Sequence, residues 1–176
     1  MKTKGKGKAI LNPEHLLELA EKLIAPPPKG PPRQVYLRRA ISSAYYGIFH
    51  AVLAAAADEF VGKVHQGTKR YALVYRKIDH KGFIDLCQEV TKSKPSDKYA
   101  SKMSFAAFGS DIQAFATDAI RLQKRRHEAD YDPLVRFKTS HCLDTITEAR
   151  RALNRFKKAN EAERKEFLTL LLFLPR

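Results

Sequence analysis

VYLRRAISSAYYGIFHAVLAAAADEF, residues 35–60, is the longest part of the chain with an unbroken helical pattern. Its apolar residues recur every three or four positions, as they do along one face of an α-helix. We predict a helix of about 37 Å, long enough to contact several other helices. Small residues such as Ala44 and Gly47 lie along this face, where they let a neighbouring helix approach closely. That neighbour could belong to the same chain or to a second copy in a homodimer, and we expect the same chain.

Helix start and stop signals divide the rest of the sequence. The other predicted helices are Pro13–Ile24, Lys69–Ile78, Lys81–Thr91, a segment from Ser110 to Tyr131, a helix capped by Thr139-Ser140 and a helix after Asn160. Glu163 follows Asn160 at the spacing of a capping box, and residues 92–102 are predicted to be loop. No segment alternates at period two over the length of a strand. The predicted fold class is therefore all-α, an up-and-down bundle of four principal helices with short additional helices.

The chain is strongly basic for its length. It has 176 residues, with 33 Lys plus Arg against 19 Asp plus Glu, and a net charge of +14. Residues 1–11 are predicted to form a basic disordered tail, and residues 12–176 a single helical domain. Such an excess of positive charge favours polyanionic partners, of which RNA and nucleotides are examples.

Several classes of protein are not expected. The densest apolar stretch, residues 167–174, is too short to span a bilayer, and the N-terminus lacks the apolar core of a signal peptide, so we expect a cytoplasmic protein without a membrane partner. Cys87 and Cys142 fit no metal-ligand spacing and are predicted to be two buried thiols. His15, His65, His80 and His141 show no metal-binding pattern either. We therefore predict neither a metal nor a cofactor.

Two segments resemble motifs of the HEPN superfamily, small all-helical domains whose active members are metal-independent endoribonucleases. Residues 38–50, RRAISSAYYGIFH, resemble the family's Arg/Ala/Ser/Ala-Tyr-Tyr/Phe-His helix. Residues 125–133, RRHEADYDP, resemble its Arg-polar-x-x-x-His signature in a degraded form common among stand-alone bacterial members. The resemblance covers about residues 35–156. It implies a helical bundle in which the helices bearing these two motifs pack side by side.

The resemblance also implies a mechanism. In active members the arginine is thought to hold the scissile phosphate while the histidine acts on the attacking ribose hydroxyl. Arg126, followed by His127, fits the start of the motif, but Tyr131 stands where the histidine is expected. A phenol with an ordinary pKa of about 10 is a poor general base near neutral pH. A second alignment pairs Arg121 with His127, which lie about 240° apart around one helix and could not easily address one phosphate.

The candidate catalytic residues are Arg126, Tyr131 and His127. Candidate binding residues lie on the same two helices: Tyr46, His50, Arg121, Lys124, Arg125, Asp130, Arg38 and Arg39. Each has a simpler structural interpretation, since basic clusters are commonly solvated and Asp130 could pair with a neighbouring arginine. The basic run within residues 150–158 is mixed with acids and is predicted to be solvated.

Three functions follow from these observations. The preferred one is an RNA- or nucleotide-binding HEPN-like protein with weakened or lost catalysis. The first alternative is a metal-independent, toxin-like endoribonuclease in which Tyr131 or His127 replaces the missing histidine. The second is a helical interaction partner of a small nucleotidyltransferase, dimeric through the small-residue face around Gly47.

Overall fold

The structure, a computed structural model, describes residues 11–173. The tail predicted for residues 1–11 lies outside this range except for Leu11, as do residues 174–176. The described α-helices are α1 (Pro13–Ile24), α2 (Gln34–Val61), α3 (Lys69–Tyr75), α4 (His80–Val90), α5 (Asp97–Ala100), α6 (Ser110–Tyr131), α7 (Thr139–Lys158) and α8 (Glu161–Leu172). Lys63–His65 form a 3₁₀ turn, and residues 11–173 contain no strand. The predicted all-α helical bundle is confirmed.

Helix α2 is the centre of the bundle. It contacts α1, α3, α6, α7 and α8, and Tyr45 and Ile48 on it are fully buried. A Cβ atom at Gly47 would lie 2.9 Å from Leu17 Cδ2 of α1. The small-residue face is therefore covered at Gly47 by a helix of the same chain, as expected, and a homodimer stays a prediction.

The same helix also satisfies a simple test for a membrane span. Among the described helices, α2 alone is long and apolar enough to cross a bilayer, judged by length and composition. Within the bundle, 67% of its most apolar window is buried. A helix at the core of a bundle is also long and apolar, because most of its surface is buried against other helices. The burial of α2 fits that role.

Most predicted helix ends agree with the structure, and four details differ. Asn12 caps α1 as predicted, with its side chain accepting from the Glu14 amide at 3.1 Å. The helix that begins at Lys69 ends at Tyr75, earlier than predicted, and residues 92–102 include the one-turn helix α5. The N-cap position of α7 is Lys138, since Thr139 is already helical. The capping box at Asn160 is incomplete, because the Glu163 carboxylate accepts instead from the Gly109 amide at 3.0 Å.

Two buried carboxylates join α6 to α7. Asp118 is fully buried and accepts from Arg155 Nη1 at 2.9 Å and from Arg151 Nη2 at 3.2 Å; Arg121 also pairs with it. Glu148 accepts from Arg121 Nε at 2.5 Å and from Arg125 Nη1 at 2.8 Å. Arg151 and Arg155 belong to the run within residues 150–158 that is predicted to be solvated; their side chains are 47% and 36% exposed, and they also bind Asp118. These arginines hold a carboxylate inside the bundle.

Both cysteines are free and buried, as predicted. Burial raises the pKa of each thiol, that of Cys142 to about 11. Cys142 Sγ donates a weak hydrogen bond to the Leu37 carbonyl at 3.4 Å. Protonated thiols in these positions act as small apolar groups between helices.

Candidate functional site

Arg126 joins the helices that bear the two motifs. Its Nη2 donates to the Tyr46 hydroxyl of α2 at 2.7 Å, and its Nε lies 2.7 Å from Asp130 Oδ2, one turn further along α6. That second contact is an ion pair without hydrogen-bond alignment, because the buried Nε–H has no acceptor among the described residues. Asp130 in turn accepts from Ser42 Oγ at 2.5 Å. The expected pairing of Asp130 with a neighbouring arginine is confirmed.

Two aromatic rings flank the Arg126 guanidinium. Its central carbon lies 5.4 Å from the ring centroid of Tyr46 and 5.4 Å from that of Tyr131, within the range of a cation–π contact. Tyr131 remains 62% exposed and packs on the His127 ring, with centroids 4.9 Å apart. Burial alone would lower the pKa of Arg126, but the Tyr46 hydroxyl and the Asp130 carboxylate raise it. The site therefore holds a permanent cation beside an accessible aromatic pair.

Two imidazoles lie close to the Tyr46 ring. The His50 ring lies 6.1 Å from the Tyr46 ring, and its Nδ1 is 2.8 Å from the Tyr75 hydroxyl. The His80 ring lies 5.7 Å from the Tyr46 ring, and its Nδ1 is 2.9 Å from the Tyr45 hydroxyl. We call Arg126, Tyr46, His50 and His80 the polar centre.

The environment keeps both imidazoles neutral near physiological pH. Burial lowers the pKa of His50. Burial likewise lowers the pKa of His80, and the positive charge of Arg126 lowers it further. Since an unperturbed histidine already has a pKa of about 6.5, a downward shift leaves the neutral ring dominant at pH 7.

Neither His80 nor Tyr75 was predicted to belong to the site. His80 is the first residue of α4, directly after the N-cap Asp79, whose carboxylate accepts from the Gly82 amide at 2.7 Å. Neither position belongs to a motif. Both side chains reach α2 because the turn between α3 and α4 directs the chain back toward that helix. No pattern in the sequence predicts the direction of this turn.

The structure does not bring every predicted binding residue to the polar centre. Arg121 and Arg125 point to the Glu148 carboxylate of α7. Arg38 donates to three main-chain oxygens, that of Ala129 in the last turn of α6 at 2.9 Å and those of Asp132 and Val135 after α6 at 2.8 and 2.6 Å. These contacts give Arg38, Arg121 and Arg125 a structural role in holding neighbouring helices together. Lys124 and Arg39 are exposed, and their binding role stays a prediction.

A pocket adjoins the polar centre at His50. It has a volume of about 380 Å³ and shares His50 and Tyr75 with the contacts described above. Tyr71, Ala72, Thr68 and Arg76 form much of the remaining wall. Aromatic and apolar walls with a few polar groups are typical of small-molecule pockets.

The chain was compared with models of known protein families, with curated proteins and with solved structures, and none of them matches it. The likeness to the HEPN superfamily therefore rests on two short motifs, and family membership stays a prediction. One geometric expectation drawn from that likeness agrees with the structure, since α2 and α6 pack together and Arg126 contacts Tyr46.

Proposed function

We propose that this chain binds RNA or a nucleotide at the polar centre, as a HEPN-like protein with weakened or lost catalysis. The observation that carries the proposal is the Arg126 guanidinium, held by Tyr46 and lying between the rings of Tyr46 and Tyr131. A fixed guanidinium suits a phosphate group. The exposed Tyr131 ring beside it offers a face on which an unpaired base can stack.

The charge of the whole chain supports a polyanionic ligand. An excess of 14 positive charges raises the local concentration of nucleic acid around the molecule. Asp130 limits this effect at Arg126 itself, because its carboxylate lies 2.7 Å from Nε. An incoming phosphate therefore competes with Asp130 for the same cation.

A second candidate function is metal-independent RNA cleavage. Cleavage by the family mechanism requires a fixed cation and a group that exchanges a proton near neutral pH. The observation that favours it is the presence of two neutral imidazoles, His50 and His80, within about 6 Å of the ring of Tyr46, which binds Arg126. If the chain cleaves RNA, we expect His80 or His50 rather than Tyr131 to exchange the proton.

Binding of a fluorescein-labelled single-stranded RNA, followed by anisotropy in EDTA, tests the proposal. We expect binding to weaken as salt is raised from about 50 to 200 mM. We expect Arg126→Ala to weaken it by about tenfold, since a charge-assisted contact to phosphate is lost. A gel of the same samples scores cleavage.

Arg150→Ala is the matched control. Arg150 lies on α7 in ion pairs with Glu21 and Glu14 of α1, so its substitution removes the same charge from a different part of the molecule. An equal loss of affinity in the two variants would attribute binding to net charge and contradict the proposal. RNA fragments that accumulate in wild type and not in Arg126→Ala would establish the second function.

A further inference from the structure

The hydrogen bonds of the polar centre determine which nitrogen of His80 carries a hydrogen. The Tyr45 hydroxyl and His80 Nδ1 lie 2.9 Å apart, and Tyr45 is fully buried. Burial raises the pKa of Tyr45, so its hydroxyl keeps its proton. Among the described residues, His80 Nδ1 is the hydrogen-bond partner of that hydroxyl. Because a buried O–H without an acceptor is costly, Tyr45 donates and His80 Nδ1 accepts.

In a neutral imidazole, an accepting Nδ1 places the hydrogen on Nε2. His80 therefore presents an Nε2–H donor. The same pattern recurs at His50, whose Nδ1 lies 2.8 Å from the hydroxyl of the half-buried Tyr75. Within residues 11–173 neither Nε2 has a hydrogen-bond partner. By analogy with the buried Tyr45, we assign to Tyr75 the donor role at His50 as well.

These donors lie around one phenol ring. Both imidazoles border the Tyr46 ring, at 6.1 Å for His50 and 5.7 Å for His80, and the Arg126 guanidinium binds the hydroxyl of the same residue. The His80 ring is fixed further by Phe49, with centroids 4.0 Å apart. A cation and two neutral N–H donors without partners match the needs of a phosphate group, which offers several acceptor oxygens and negative charge.

We propose that His80 and His50 donate hydrogen bonds from Nε2 to a phosphate group bound by Arg126, with Tyr45 and Tyr75 fixing the tautomer. This inference rests on the proposed binding function and specifies its ligand contacts. It also argues against either histidine acting through Nε2 as the general base of the second candidate function. An Nε2 that carries a hydrogen has no lone pair with which to accept the proton of a ribose hydroxyl.

Two-bond ¹H–¹⁵N spectra of the imidazole rings test the tautomer at about pH 7.5, where neutral rings dominate. We expect His50 and His80 to show the neutral Nε2–H pattern. In Tyr75→Phe, which removes only the hydroxyl, His50 should shift toward a mixture of tautomers while His80 stays unchanged. The Nδ1–H pattern or an imidazolium in either wild-type ring would overturn the proposal.

Titration with inorganic phosphate and with a dinucleotide, followed in the same spectra, tests the ligand contacts. We expect shifts at His50 and His80, and affinity about tenfold lower in Arg126→Ala, because the charged member of the site is lost. The exposed His15 and His65 serve as internal controls and should not move.

The outcomes separate this inference from the proposed function. RNA binding that is weakened in Arg126→Ala but gives no shifts at His50 and His80 would keep Arg126 as the RNA contact of the proposed function and reject the histidine contacts. Shifts with inorganic phosphate, combined with no RNA binding in the anisotropy assay, would support the phosphate site and reject RNA as its ligand. If phosphate shifts the His50 and His80 signals equally in wild type and in Arg126→Ala, the histidines and Arg126 do not bind the same phosphate group.

Discussion

Replacing Asp118 with alanine should lower the free energy of unfolding by about 2–3 kcal/mol. The carboxylate is fully buried and holds three guanidinium groups, those of Arg121, Arg151 and Arg155. Removing one partner of a buried ion pair commonly costs about 3–5 kcal/mol, because a charge is left without compensation. Here the remaining arginine side chains are 36–50% exposed and can turn to water. The expected loss therefore falls below that range.

Urea unfolding followed by circular dichroism measures this loss. For a chain of 176 residues, a change of about 2–3 kcal/mol corresponds to a fall in Tm of roughly 5–10 °C. Glu21→Ala is the matched control, since Glu21 pairs with Arg150 at the surface and should cost at most about 0.5 kcal/mol. An Asp118→Ala protein within about 0.5 kcal/mol of wild type would refute the view that this carboxylate holds α6 against α7.

Two further predictions concern the polar centre. Asp130→Asn should raise RNA affinity by about three- to tenfold in the anisotropy assay, because it removes a negative charge that competes with phosphate for Arg126; unchanged or weaker binding would contradict that competition. Wild type should lose more stability than a His50→Gln/His80→Gln variant as pH falls below about 6.5, since the lowered pKa values of both histidines make the folded chain bind fewer protons than the unfolded chain. Urea midpoints at neutral and acidic pH test this, and equal losses in both proteins would argue against it.

The helices were largely predictable because their signals are local. Asn12 and Pro13 begin α1 at the predicted position, and the apolar spacing of residues 35–60 gave α2 within one residue at each end. The contact between Tyr46 and Arg126, 80 residues apart, also followed from sequence, because the resemblance placed the two motifs on neighbouring helices. Periodicity and capping are encoded within a few residues of where they act.

The remaining parts of the site depend on long-range packing. His80 reaches the polar centre through a turn between two short helices, and no spacing in the sequence relates it to Tyr45. The basic cluster at Arg121 and Arg125 looked like a phosphate-binding surface because the facing Glu148, 27 and 23 residues away, lies on another helix. A helical pattern shows which residues share a face, but the charge on the opposing face is set by tertiary structure.

The hydrogen bonds of Arg38 at the end of α6 and in the turn that follows go to main-chain oxygens, while its guanidinium also lies 5.6 Å from the centroid of the Phe137 ring. Hydrogen bonds to main-chain oxygens do not depend on the side chains of the accepting residues. Substitutions between Asp132 and Val135 that keep the backbone path therefore leave these hydrogen bonds in place. The number of residues in that turn is constrained much more strongly, because it sets where the carbonyl oxygens lie. The junction between α2 and the end of α6 should therefore tolerate substitutions in the turn better than insertions or deletions, because an added or missing residue displaces the carbonyl oxygens that Arg38 binds.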